Sequence, residues 1–262
     1  AALPVRLLDY EVELAMLLLE DLDLNDLPAS YADFIDGVAF FTANDVSDRE
    51  PIILDSESGY TRGKSHPTYL PSGPWMIHGR HLQPLAPGEG RDRLELGVLV
   101  REPFTNERAE RTRQLQDSAT DRMILGPWQI VQTLAARYQR GIRTCMRDAG
   151  GEPRYTHTSE GIIPAGSLIL TGTPGGTAIR EPGPLEKLEL FLRGGLSVSG
   201  ARQQLITDSE ARLQDSRYLE PGDQVETWIT GLGRQRWNVV TDAVPTQYGI
   251  KSPGDCSSEP DK

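Results

Sequence analysis

Cysteine is scarce in this chain. Only Cys145 and Cys256 occur among 262 residues, too few for a disulfide framework, and a reduced, cytoplasmic protein is the setting that fits them. Cys145 falls in a stretch that reads as helical and Cys256 in a polar tail. Aromatic residues are also sparse, at 6%, so no platform for stacking nucleic-acid bases is expected. No apolar run approaches the roughly 20 residues of a membrane span, and the first residues lack the basic-then-apolar pattern of a secretion signal. Basic residues are outnumbered 38 to 27 by acidic ones, a formal net charge of −11. That balance repels phosphate backbones and anionic membrane surfaces, so neither is expected as a partner. Several catalytic signatures are missing as well. There is no GxSxG elbow and no Cys-His arrangement, so covalent serine or cysteine chemistry has no support. Of the four histidines, His66, His78, His81 and His157, no two have the spacing of a metal motif. The glycine-rich Gly172–Gly176 is neither GxGxxG nor a Walker loop, which argues against a dinucleotide site.

What is present begins with Leu8-Asp9-Tyr10-Glu11-Val12-Glu13-Leu14. The alternation predicts a strand with Leu8, Tyr10, Val12 and Leu14 on one face and Asp9, Glu11 and Glu13 on the other. Carboxylates two apart on a strand lie roughly 7 Å from each other, close enough to reach one small cation. Without a cation they repel, and burial sharpens the repulsion. The strand is therefore either an exposed acidic face or one wall of a metal site.

Further along, Ser30 caps a short helix through Ile35 that Gly37 ends. Val38–Thr42 reads as a strand buried on both faces and runs into the polar cluster Ala43–Arg49. Residues 51–62 read as a loop, 94–100 as a strand, and 105–116 as polar and exposed. Pro127 opens an amphipathic helix carrying Trp128, Val131, Leu134, Ala135, Tyr138 and Ile142. Ser167–Thr171 is a strand leading into Gly172–Gly176, where a tight turn and a small-anion cradle built with the Thr173 hydroxyl remain alternatives. Residues 185–192 and 201–213 carry helical patterns. A turn at Pro221-Gly222-Asp223 precedes a hairpin of 224–229 with 235–240. The prediction is one α+β, mainly β domain over residues 1–250, a mixed sheet roll with a few peripheral helices, and a disordered tail at 251–262.

Asp45, at the end of an apolar strand, is either a turn aspartate or a third ligand to add to Glu11 and Glu13. Three carboxylates suit Mg²⁺, Mn²⁺ or Ca²⁺, whereas zinc would call for a Cys/His cluster. Near such an ion Lys64 would hold a substrate carboxylate or enolate oxygen by charge, and Arg49 would do so in forked geometry. His66, two residues past Lys64, would share its face on an extended segment and could shuttle a proton.

Read together and in order, Leu8–Leu14, Thr42-Ala43-Asn44-Asp45-Val46-Ser47-Asp48-Arg49, Gly63-Lys64-Ser65, Pro71-Ser72-Gly73-Pro74-Trp75, Thr171–Gly176 and Pro221-Gly222-Asp223 resemble the fumarylacetoacetate hydrolase family. The resemblance spans Leu8 to about Val240. It implies a mixed β-sandwich roll, often a homodimer, that binds Mg²⁺ or a similar cation. It implies a small 2-oxo or β-dicarbonyl carboxylic acid as substrate, with carbon–carbon bond hydrolysis through a stabilised enolate. Decarboxylation, or hydration or isomerisation, are alternatives on the same site, and a non-catalytic subunit of the same fold is a third. Carried over by position, Glu11 and Glu13 match the paired glutamate ligands and Asp45 the aspartate ligand. Lys64 matches the lysine beside the substrate, Arg49 the arginine after the Asn-Asp motif, and Thr173 the threonine that holds a substrate carboxylate. Two departures stand out. The His and Glu proton-transfer pair of some members lies upstream of the paired glutamates, where this sequence offers seven residues; a truncated or processed form, or another base, would account for that. His66 stands where phenylalanine is common and is the substitute base. The roughly 40-residue insertion at 177–219 exceeds ordinary loop length and is expected to cover the pocket.

Overall fold

The computed structural model describes residues 5–55, 59–82, 93–103, 110–139, 161–180, 182–211 and 218–241, with two further short strand segments at 146–147 and 153–154. In chain order its elements begin β1 (Leu8–Asp9), β2 (Val12–Leu18), β3 (Leu22–Asp23), α1 (Tyr31–Asp36), β4 (Val38–Asn44), β5 (Ser47–Asp48), α2 (Arg49–Leu54) and α3 (Gly59–Lys64). There follow β6 (Ile77–His78), β7 (Glu95–Glu102), β8 (Arg111–Ala119), α4 (Pro127–Tyr138), β9 (Met146–Arg147), β10 (Pro153–Arg154), β11 (Ile162–Ile163) and β12 (Leu168–Leu170). The last four are α5 (Pro184–Arg193), α6 (Val198–Ala211), β13 (Gln224–Ile229) and β14 (Gly233–Asn238).

Two four-stranded sheets, ordered β12-β2-β4-β6 and β14-β13-β7-β8, pack with the main core between them. Alternation decides who faces whom. Val12, Leu14, Met16 and Leu18 of β2 join Phe40 of β4, and they meet Val98, Val100, Val225 and Ile229 from the other sheet. Each fully buried side chain of this kind contributes about 1.5–3 kcal/mol. Glu13, Ala15 and Leu17 point the other way, and Ala15 packs there with Phe41 and Ala43. The fold is thus α+β, mainly sheet, as expected from the sequence.

Local signals hold where they are chemically explicit. The Ser30 side chain accepts the Asp33 N–H and opens α1, and Gly37 closes it. Pro127 occupies the first turn of α4, where a missing N–H costs nothing. The paired helices α5 and α6 occupy the stretch that carried helical patterns.

Four expectations need correction. The Leu8–Leu14 strand is broken: β1 pairs with β5 and β2 with β4, and the ladder is interrupted at Tyr10–Glu11. Side chains bridge the break. The Glu11 N–H donates to Asn44 Oδ1 (2.9 Å), and the Val12 N–H to Gln116 Oε1 (2.9 Å). Of residues 51–62, expected to be a loop, 51–54 lie in α2 and 59–62 in α3. Asp48 caps α2 by accepting the Glu50 N–H, and Pro51 needs no partner in its first turn. Of the stretch expected to be exposed, residues 105–109 lie outside the described residues and Arg111, Thr112 and Gln114 are exposed as expected, but 111–119 form a paired strand with Gln116 fully buried, a polar residue in an inward position that normally advertises itself by being apolar. The hairpin partner is Gly233–Asn238, two residues earlier than its periodicity indicated. Cys145, Ile142, Cys256 and the tail at 251–262 lie outside the described residues.

Candidate metal centre

Glu11 sits in the break between β1 and β2, Glu13 on β2, and Asp45 just past the end of β4. Because β2 and β4 are antiparallel neighbours with Val12 opposite Asn44, the Asp45 backbone comes beside Glu11, and its N–H donates to the Glu11 carbonyl (2.8 Å). One carboxylate oxygen from each of Glu11, Glu13 and Asp45 then lies within 4.8 Å of the other two. Glu11 and Glu13 are buried and Asp45 partly so. The acidic residues are not an exposed face, since Asp9, Glu11 and Glu13 are 0%, 8% and 3% exposed.

Buried like charges demand compensation. Lys64, the last residue of α3, places its ammonium between two of the three, 2.7 Å from Glu11 Oε2 and 2.5 Å from Asp45 Oδ2. Burial pulls the Lys64 ammonium down, yet its hydrogen bonds to Asp45 and Glu11 outweigh that and hold its pKa above the usual lysine value. Burial raises Asp45 against the pull of Lys64. Among the described residues Glu13 has no cationic side chain bonded to it. Its Oε2 accepts the Gly172 N–H at 2.6 Å, but burial, joined by the charges of Asp45 and Glu11, pushes its carboxyl up to about 7. Gly172 has φ +89°, a backbone turn that suits glycine and aims this N–H at Glu13.

The donor set fits a hard divalent cation. Three oxygens converge, the ammonium of Lys64 already occupies part of the cationic position, and the under-compensated Glu13 would regain its charge beside an ion. Glu11, Glu13 and Asp45 are the residues that would hold it.

The other expected site residues are placed differently from one another. Arg49 is 5% exposed and both observed contacts of its guanidinium are to protein carboxylates: Nε donates to Asp9 Oδ2 (2.8 Å) and Nη2 to Glu11 Oε1 (2.5 Å). Thr173 is near the site, but its hydroxyl donates to the Val12 carbonyl (3.0 Å) and accepts from Gln116 Nε2 (2.9 Å). A hydroxyl has one proton, so this one has none left for a substrate carboxylate. Lys64 ends a helix, so the extended segment that would put His66 on its face does not exist. His66 is exposed and its ring lies 4.8 Å from that of Tyr69. The insertion packs through Ile206 of α6 against Leu7 and Tyr218, with Ile53 of α2 and Ala178 alongside.

Three contributors escaped sequence reasoning. Asn44 and Gln116 accept the peptide N–H groups on either side of Glu11, and Asp9 backs Arg49. Asn44 was legible as a polar residue terminating an apolar strand. Gln116 was hidden in a polar run. Gly63 shows how tightly Lys64 is seated: a Cβ there would meet the Asp48 carbonyl oxygen at 2.5 Å and Ile52 Cγ1 at 2.6 Å. Gly63→Ala should therefore cost about 1–3 kcal/mol by overpacking, read in urea unfolding. Unchanged stability would mean that α3 has room to move.

The sequence profile described as fumarylacetoacetate (FAA) hydrolase C-terminal matches residues 3–240. The protein Rv2993c of Mycobacterium tuberculosis is 30% identical over 187 residues, covering 69% of this chain and 54% of that protein. Among solved structures, a probable 2-hydroxyhepta-2,4-diene-1,7-dioate isomerase from Mycobacterium abscessus superposes with a TM-score of 0.54 at 22% identity, covering 90% of this chain and 62% of that one. A fumarylacetoacetate hydrolase from psychrophilic Exiguobacterium antarcticum gives 0.55 at 20%, covering 91% and 58%. The chain thus spans between 54% and 62% of the length of these relatives. Among the described residues no helix is long and apolar enough to cross a membrane.

Proposed function

Since this chain belongs to the fumarylacetoacetate hydrolase family, we propose that it is a divalent-cation-dependent enzyme acting on a small 2-oxo or β-dicarbonyl carboxylic acid. In this reading it hydrolyses the carbon–carbon bond beside the oxo group of an acylpyruvate-like or fumarylacetoacetate-like substrate. One observation carries the proposal: three carboxylates from two chain segments meet within 4.8 Å with a lysine ammonium among them. A bound Mg²⁺, or Mn²⁺ or Ca²⁺, would supply positive charge at the substrate's carboxylate and oxo oxygens, where negative charge develops as the bond breaks.

The chain's own groups divide the remaining work. Lys64, held charged by Glu11 and Asp45, is assigned to the substrate's anionic oxygen once an ion takes over those carboxylates. His66 is assigned the proton transfer that activates water only as the substitute base that the family resemblance implies; it is exposed, and the end of α3 at Lys64 removes the shared face that its spacing suggested. Water's oxygen joins the acyl carbon, the adjacent carbon–carbon bond breaks, and its electron pair is protonated on the carbon that leaves. An acylpyruvate gives one carboxylic acid and one 2-oxo acid, and a fumarylacetoacetate-like substrate one carboxylic acid and one 3-oxo acid. Arg49 and Thr173, whose polar atoms are engaged by the protein, are reassigned from substrate contacts to holding the ligand frame. A homodimer belongs to the same reading.

The test is product analysis with an acylpyruvate and with oxaloacetate, with Mg²⁺ and after chelation. Two carboxylic products from the acylpyruvate, lost on chelation, are expected. Carbon dioxide from oxaloacetate, or a rearranged or hydrated acid without cleavage, would replace hydrolysis with decarboxylation, isomerisation or hydration. Ion uptake with no turnover on either substrate class would favour a non-catalytic subunit.

A further inference from the structure

Asp9 is the one acidic residue of the Leu8–Leu14 stretch that the candidate ion site does not use, and it is the most deeply buried, at 0% exposure. A carboxylate in that position is costly unless its oxygens are saturated. They are. Oδ1 accepts the N–H groups of Tyr10 (2.8 Å) and Ala178 (2.7 Å), and Oδ2 accepts the N–H of Ile179 (3.1 Å) and Arg49 Nε (2.8 Å). Two of these four donors come from Ala178 and Ile179, where the chain leaves the glycine-rich loop for the inserted helices. Arg49 then carries the connection onward, from Asp9 to Glu11 Oε1. The same inserted segment grips the other side of the pair. Ile206 of α6, itself 0% exposed, packs against Leu7, next to β1, and has Ile53 of α2 beside it. Arg202 donates to the Leu54 carbonyl (3.2 Å), and α2 begins at Arg49.

We propose that Asp9 is a positioning residue of the ion site: held by the Ala178 and Ile179 N–H groups, it aims Arg49, and Arg49 fixes the carboxylate of Glu11 that the ion needs. The insertion is thereby part of the frame of the site, a role different from the cover its length suggested. The inference rests on the proposed ion site. Its physical basis is that a carboxylate ligand free to rotate must be ordered by the ion at the ion's expense, whereas one already held by a second partner need not be. Partners of ligands typically matter ten- to a hundredfold in metal affinity.

Two measurements on the whole chain decide it. The first is Mn²⁺ affinity, read by the loss of the free-ion electron paramagnetic resonance signal, for the unaltered protein, Asp9→Asn, Arg49→Lys and the double variant. Val131→Ala, on α4 and off the strands that carry the acidic residues, serves as a control that loosens the core. Asp9→Asn should weaken Mn²⁺ binding roughly ten- to a hundredfold, and the double variant should be no weaker than the weaker single one, because both act through one link. The core variant should lose stability and keep its affinity. The second measurement needs no substitution and so survives an Asp9→Asn chain that fails to fold. Adding Mg²⁺ to the unaltered protein should slow amide hydrogen exchange at Ala178 and Ile179, since a coupling that runs from Asp9 to the ion must run back. Full Mn²⁺ affinity in folded Asp9→Asn, multiplying penalties in the double variant, or unchanged exchange at both amides with the ion bound would each overturn the inference alone. An unaltered chain that takes up neither ion would overturn the ion site itself, and the inference with it.

Discussion

Glu13→Ala should abolish ion uptake and turnover together, with affinity for Mn²⁺ falling by more than about a hundredfold, beyond what loss of a ligand's partner does. Glu13 is singled out because it is the carboxylate with least compensation in the metal-free chain. Glu11 has Arg49 and Lys64, and Asp45 has Lys64, but Glu13 has one backbone N–H. Its carboxyl, pushed up to about 7 mainly by burial, reports the same fact. Two consequences follow for pH. Ion binding must displace a proton from Glu13 below about pH 7, so apparent affinity should fall about tenfold per unit as pH drops below that point. The metal-free fold behaves in the opposite sense. Glu13 binds its proton more tightly folded than unfolded, so the stability it contributes is full below the unfolded value of 4.5 and is lost as pH rises through about 7. That loss amounts to roughly 3 kcal/mol. Glu13→Gln, which keeps a carbonyl acceptor for Gly172, should therefore melt higher than the unaltered metal-free chain at pH 8 and gain nothing from added Mg²⁺. Normal metal stoichiometry in Glu13→Ala would defeat the ligand assignment.

Arg49→Met should destabilise the fold by about 3–5 kcal/mol, the usual result of leaving buried charge without its partner. Asp9 would keep its three N–H donors, but Glu11 would lose one of two cations beside Glu13 and Asp45. Both charges near Arg49 raise its pKa against the desolvation that lowers it, so its guanidinium remains charged. Urea unfolding of the metal-free protein measures the loss. A side chain whose purpose is to bind substrate would behave otherwise, raising KM while leaving the unfolding midpoint in place. That second pattern would return Arg49 to the substrate role its position in the sequence implied.

Sequence alone determined the family of this protein and its candidate ligands more than how they are held. The ordered short motifs identified the family, and the acidic alternation after Leu8 put Glu11 and Glu13 forward, because residue types and spacings are local properties that a chain displays before it folds. The caps of α1, the Pro127 helix start and the apolar strand at Val38 were legible for the same reason. What only the tertiary structure decided was who compensates whom. Asn44, Gln116 and Asp9 reach their partners across 33, 104 and 40 residues of chain, and no periodicity encodes such a pairing. Burial and saturation of hydrogen bonds are properties of the packed assembly, so the occupied hydroxyl of Thr173 and the guanidinium of Arg49 closed between two carboxylates could not be read from spacing. The sequence named the charges, and packing set which of them answer to a ligand and which to each other.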